Sequence, residues 1–175
     1  MHANQLTPLP VAVVMGVSAS GKSTLGVALA RRMGWAFEEG DDLHPQANVA
    51  KMRAGHPLED ADRAPWLDRV AGWIAERSAA GEGGVITCSA LKRAYRDRLR
   101  TARPDLAFVL PDPPEAVLRE RIAARQGHFM PPSLLTSQLR TLERPAPAER
   151  ALAIGGDVSA EAVLDTIDAW LVSSA

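Results

Sequence analysis

The sequence predicts an α/β domain, a doubly wound parallel sheet of five strands with helices on both faces. Three observations predict it: short apolar runs of strand length, segments of helical periodicity between them, and glycines or prolines at most of the joints. A chain of 175 residues with 46% apolar content can bury one real core and is short for two. Residues 1–10 are expected as a loose tail, because Asn4, Pro8 and Pro10 break structure and no basic cluster leads into an apolar stretch. Residues 11–175 then form a single domain.

The elements follow in order. Val11 to Met15 is an unbroken apolar run ended by glycine, as in a strand buried on both faces. Leu25, Ala28, Leu29 and Met33 recur at helical spacing from Lys22 to Met33, and Gly34 stops that helix. Trp35 to Glu38 is a second strand, and Gly40 opens the polar loop Asp41-Asp42-Leu43-His44. Pro45 then starts a helix to Arg53. A loop from Gly55 to Pro65 leads into a helix from Trp66 to Ala80, with Leu67, Val70, Ala71 and Ile74 on one face. Val85 to Cys88 and Leu106 to Leu110 are further strands, separated by the basic helix Lys92 to Arg100. Glu115 to Gln126 and Ser133 to Glu143 read as helices around a Gly127 to Pro132 turn. Ala151 to Ile154 is the last strand, before a closing helix from Ser159 to Val172.

Charge excludes some partners. The 20 basic and 21 acidic side chains nearly balance, so nothing calls for nucleic acid or an anionic membrane, and any anion site must be local. No apolar run approaches membrane-spanning length. Cys88 is the only cysteine, which forbids an intrachain disulfide and suits a reducing, cytoplasmic setting.

Gly16-Val17-Ser18-Ala19-Ser20-Gly21-Lys22-Ser23 fits the pattern G-x-x-x-x-G-K-[ST] and lies between a predicted strand and a predicted helix. A triphosphate needs closely approaching backbone N–H groups, a helix N-terminus and a mobile cation, and this loop offers all three. Lys22 would bridge the β and γ phosphates, Ser23 would ligate Mg²⁺ and Thr24 would help at the α phosphate. The loop is thus a P-loop for a nucleoside triphosphate.

A small-acceptor kinase and a nucleotide-driven switch or motor both use such a loop. Switches and motors usually hold Mg²⁺ with an acid at the end of a buried strand, but Val85-Ile86-Thr87-Cys88-Ser89 has none, and no N-K-x-D segment occurs. Asp41, after the second strand, can face the γ-phosphate across the C-terminal edge of the sheet. There it suits a kinase, as base for the acceptor hydroxyl or as holder of a magnesium-bound water. Its structural alternative, shared with Asp42, is capping the helix that begins at Pro45.

Beyond the loop stand E-G-D-D-L-H-P, N-V-A-K-M, P-L-E-D-A-D-R-A-P-W-L, C-S-A-L-K-R-A-Y-R-D-R-L-R and R-Q-G-H-F-M. In order and spacing, from Val13 to about Pro145, they resemble the gluconokinases of the small, adenylate-kinase-like type. The resemblance implies ATP- and Mg²⁺-dependent phosphorylation of D-gluconate at its terminal hydroxyl to 6-phosphogluconate, often by a homodimer. That family commonly has glycine where this chain has Ala19; if the position needs positive φ, alanine there costs on the order of 1 kcal/mol.

Gluconate offers a carboxylate and a row of hydroxyls, so its site should combine cations with hydrogen-bond acceptors. The segments carrying the resemblance place His44, Arg53, Arg63, Lys92, Arg96 and His128 around the acceptor with Asp41. Lys92 and Arg96 could instead form a solvated helix face, and His44 a helix cap. Trp66, Cys88 and Tyr95 read as packing. Arg121 and Arg125, four apart beside Gly127-His128-Phe129, read as arginines of a lid over about 119–145 that closes on the phosphates. Asp157 to Ser159 is the expected adenine contact. A shikimate-kinase-like or other small-acid kinase is the alternative enzyme, and a non-catalytic nucleotide sensor the alternative of another class.

Overall fold

The computed structural model describes residues 9–125, 131–156 and 158–173. In chain order the elements are β1 (Val11–Val14), α1 (Lys22–Met33), β2 (Ala36–Glu38), a 3-10 turn (Gly40–Leu43) and α2 (Gln46–Arg53). Then come α3 (Asp60–Ala80), β3 (Gly84–Thr87), α4 (Arg93–Arg100), β4 (Ala107–Pro111), α5 (Glu115–Ala124), α6 (Ser133–Thr141), β5 (Ala151–Ile154) and α7 (Ala160–Ser173). The five strands form one parallel sheet in the order β2-β3-β1-β4-β5.

The order explains the composition of each strand. β1 lies at the centre, paired with β3 from Val11↔Gly84 to Val14↔Thr87 and with β4 on its other side, and all four of its residues are buried. Its alternation divides two cores. Val11, Val13 and Met15 join Ile86, Phe108 and Leu110 beneath α3 and α4, where Trp66, Leu67, Val70, Ile74 and Leu99 cover them. Ala12 and Val14 join Val85, Ala107 and Val109 against Leu29 of α1 and Ile167 and Leu171 of α7. A strand apolar at every position is what burial on both faces requires.

The largest departure from the sequence reading is α3, which starts at Asp60 and runs through Pro65. Pro65 predicts a boundary at Trp66, yet the Asp62 carboxylate accepts the Glu59 backbone N–H at 2.8 Å and nucleates the helix earlier. Pro65, in the second turn, then forfeits only the bond to the Ala61 carbonyl. The polar loop after β2 is itself a 3-10 turn. Among the described residues no helix is long and apolar enough to cross a membrane.

Candidate active site

The P-loop leaves β1 at the C-terminal edge of the central strand and delivers its end to α1. Gly21 is the N-cap of α1 at φ 93, a left-handed backbone that glycine adopts freely. Gly16 N–H donates to the Ser89 carbonyl at 3.1 Å, tying the loop to the segment after β3. Lys22 Nζ donates to the Val17 carbonyl at 2.8 Å, inside its own loop. Burial lowers the Lys22 pKa, against the upward pull of Asp41 and Glu39.

Ala19 has φ 64, so the strained case holds at this position. Its methyl is not idle: Val17 and Ala19 are buried against Leu91, Leu118 and Leu135, which docks α5 and α6 on the loop. Arg121 Nη1 donates to the Ala19 carbonyl at 3.1 Å, and Ser18 N–H donates to Gln138 Oε1 of α6 at 2.7 Å. The segment predicted as a lid therefore touches the phosphate loop on its apolar and its polar sides.

Beyond β2 the acids are arranged by a chain of hydrogen bonds. Gly40 N–H donates to Thr87 Oγ1 at 3.0 Å, Thr87 donates to Glu39, and Ser23 Oγ donates to Glu39 Oε2 at 2.5 Å. A Cβ on residue 40 would overlap the Thr87 carbonyl, which is why glycine follows Glu39. Trp66 Nε1 donates to the Gly40 carbonyl at 2.8 Å and its ring stacks on His44, centroids 4.1 Å apart. Asn48 Nδ2 can only donate, so His44 Nδ1, 3.3 Å away, is the acceptor and Nε2 carries the proton. That Nε2 lies 3.8 Å from Asp41 Oδ1. Burial first, and then Arg63, pushes the His44 pKa down to about 4, so the ring is neutral at neutral pH.

One cleft brings most of the predicted groups together: Lys22, Ser23, Asp41, His44, Arg63 and Arg125 all line it. Arg63 is pinned there by donating through Nε and Nη2 to the Leu58 carbonyl. The other wall is α6, through Leu134, Ser137 and Gln138. A second, more apolar cleft runs from Gly21 and Thr24 between Pro113 and Val163, and Arg121 and Arg125 line it too. Its apolar lining beside the P-loop could hold a nucleoside. Gly156 and Ala160 line this cleft, while Asp157 lies outside the described residues.

Three expected acceptor contacts stand elsewhere. Arg96 is a correction: it is wholly buried, donates Nε and Nη2 to the Glu149 carboxylate at 2.8 and 3.1 Å, and donates Nη1 to the Ala90 and Leu91 carbonyls. The packing of α4 turns it to the inner face, where its charge is matched by Glu149. Arg53 is exposed at the end of α2, outside the cleft's lining. Lys92 pairs with Asp60 at 2.9 Å in a neighbouring hollow, which Arg63 also lines. His128 lies outside the described residues.

Two site residues escaped the sequence reading. Glu39 had a signal, since it stands at the C-terminal end of the second strand just before a glycine that a tight contact demands. Gln138 had none, because only the docking of α6 brings it to a loop 120 positions away.

A family model described as an AAA domain matches residues 11–145. The gluconokinase of Gluconobacter oxydans (strain 621H) is 51% identical over 155 residues, 89% of this chain and 87% of that protein. The chain belongs to the gluconokinase family. Solved structures agree with this membership. A gluconokinase from Sinorhizobium meliloti 1021 superposes with a TM-score of 0.81 at 47% identity, covering 95% of this chain and 93% of that one. An unliganded sugar kinase from Janibacter sp. HTCC2649 reaches 0.89 at 44% identity, over 94% and 95%. The matched residues 11–145 include the P-loop, β2 and α3, which build the cleft.

Proposed function

We propose that this chain transfers the γ-phosphoryl group of ATP to the terminal hydroxyl of D-gluconate, giving 6-phosphogluconate and ADP. The observation that carries the reading is the placement of Asp41, Arg63 and the neutral His44 in one cleft with Lys22 of the P-loop. Asp41 takes the acceptor proton as the hydroxyl oxygen bonds to phosphorus and the bridging oxygen leaves with ADP. Lys22 and Arg125 oppose the charge that builds on the transferring group, and Arg121 holds the loop through Ala19. Arg63 supplies a guanidinium for the gluconate carboxylate, and His44 offers an N–H to a hydroxyl.

Mg²⁺ fits the donor set: the Ser23 hydroxyl and the Glu39 carboxylate are hard oxygen groups side by side at the start of α1. When bound, the ion would neutralise the β and γ phosphates. Glu39 is in direct contact with Ser23, so we assign it the metal-side role and keep Asp41 for the acceptor. The 119–145 segment is proposed as the lid that excludes water during transfer. A cytoplasmic location suits the lone cysteine, and a homodimer follows the family resemblance.

The assay is purified protein with ATP, Mg²⁺ and a panel of gluconate, shikimate, other sugar acids and nucleoside monophosphates. Product should form with gluconate; turnover of shikimate alone would overturn the substrate. Asp41→Asn should keep ATP binding and lose most turnover. Light scattering checks the dimer.

A further inference from the structure

Gln138 takes no part in the transfer step above, yet among the described residues it is the side chain that accepts a backbone N–H of the P-loop. Its Oε1 accepts the Ser18 N–H at 2.7 Å. Ser18 and Gln138 both line the cleft that holds Lys22 and Asp41, so the contact sits at the junction between donor phosphates and acceptor. The partner's chemistry fixes the orientation of the carboxamide. A backbone N–H can only donate, so the oxygen must face the loop and the NH₂ is the group turned from it.

The helix carrying Gln138 does not need this bond to stay in place. Leu134 and Leu135 of α6 are buried, and Leu135 packs with Val17, Ala19, Leu91 and Leu118. Apolar packing of that extent holds a short helix on a domain without help from one polar contact. The carboxamide is therefore placed by a rigid support, with its acceptor end used on the loop and its donor end directed away. A preorganised donor beside a phosphoryl group costs no reorganisation when charge spreads over the equatorial oxygens in transfer.

We propose that Gln138 is a positioning residue for phosphoryl transfer: it bridges the Ser18 amide and, through its NH₂, an equatorial oxygen of the group in flight. Seating of α6 and alignment of the phosphate then become one event. Transfer is completed only when the helix that walls the acceptor cleft is docked, which disfavours water as acceptor. This inference rests on the kinase reading above and deepens it.

Two substitutions separate positioning from mere support. Gln138→Glu keeps an oxygen for the Ser18 N–H but has no donor while ionised, and Gln138→Leu removes both ends at similar volume. Each is measured for melting temperature, kcat and KM with ATP and gluconate, and the ratio of sugar-acid phosphorylation to ATP hydrolysis. The expected result is a fall in kcat of about 10- to 100-fold in both variants, with melting temperatures close to the parent and a lower transfer-to-hydrolysis ratio. The activity of Gln138→Glu relative to the parent should rise as pH falls, because a protonated carboxyl regains a donor. A Gln138→Glu variant with parental kcat and transfer ratio would overturn the proposal, and so would parental behaviour of Gln138→Leu. Should the parent protein turn over another acceptor and not gluconate, the substrate reading fails, and the same comparison is run on that acceptor. Should it only hydrolyse ATP, hydrolysis rates unchanged by either substitution would still overturn the role of Gln138.

Discussion

Glu39 and Ser23 meet at 2.5 Å across the mouth of the P-loop, sixteen positions apart in the chain. The hydroxyl expected to ligate magnesium is thus oriented by a carboxylate just after β2, not by an acid on β3. Thr87, the last residue of β3, serves instead as the strut that holds Glu39. Replacing Glu39 with Gln should raise the Mg²⁺ concentration needed for half-maximal activity about 10- to 100-fold, the usual cost of losing a group that supports a metal site. Activity measured against free Mg²⁺ checks this. An unchanged metal requirement would reduce Glu39 to a structural tie between β2 and β3.

Ala19 presents two opposed terms. Positive φ costs a non-glycine residue about 1–2 kcal/mol, while burying its methyl against α5 and α6 returns about 0.8 kcal/mol, and glycine would bring back unfolded-state entropy of about 0.4–1 kcal/mol. The sums nearly cancel. Ala19→Gly should therefore shift the melting temperature by no more than about 3 °C in a domain of this size. Calorimetry decides: a large rise would mean strain dominates, a large fall that the packing does.

Arg96 and Arg63 should respond differently to the same substitution. Arg96→Met leaves the Glu149 carboxylate buried without its bidentate partner, which costs about 3–5 kcal/mol, and the variant that folds should keep its KM for gluconate. Arg63→Met should raise that KM at least tenfold, the scale of one lost charge-assisted contact of about 1.5–3 kcal/mol. Denaturant melts and steady-state kinetics on both variants test the pair. A raised KM in Arg96→Met with an intact Arg63 response would return Arg96 to the acceptor site.

The neutral His44 makes stability depend on pH. Its pKa falls from 6.5 unfolded to about 4 folded, so between those values the unfolded chain binds more protons. Stability is then fully present above about pH 6.5 and declines as pH drops to 4, by at most about 3 kcal/mol. Glu149, pulled up by burial but held down to about 2 by Arg96 and the Ala146 N–H, adds a second loss below its ordinary value of 4.5. Urea titrations from pH 7.5 to 4 should show the first loss, and His44→Gln should flatten it. The same slope in the variant would assign the effect to another group.

The strands, the P-loop and the order of helices were legible because they rest on local pattern. β1 is apolar at every position since both its faces are covered, and Gly21 and Gly34 mark the two ends of α1. The start of α3 was not, because Pro65 speaks for a boundary and only the Asp62 contact to Glu59 overrides it. Among the site residues, the sequence placed Lys22, Ser23, Asp41, His44 and Arg63 in segments that do converge on one cleft. It could not separate Arg63 from Arg96, two arginines in equally suggestive segments, since which face of a helix meets the core depends on its partner.

By itself, then, the sequence determined the fold, the P-loop and the family, because each is written in short spacings that local geometry enforces. Only the tertiary structure decided the division of labour. Glu39 reaches Ser23, Arg96 turns inward to Glu149, and Gln138 reaches Ser18 through contacts between residues distant in the chain. Such contacts arise from how helices pack on the sheet, and no periodicity along the chain records them.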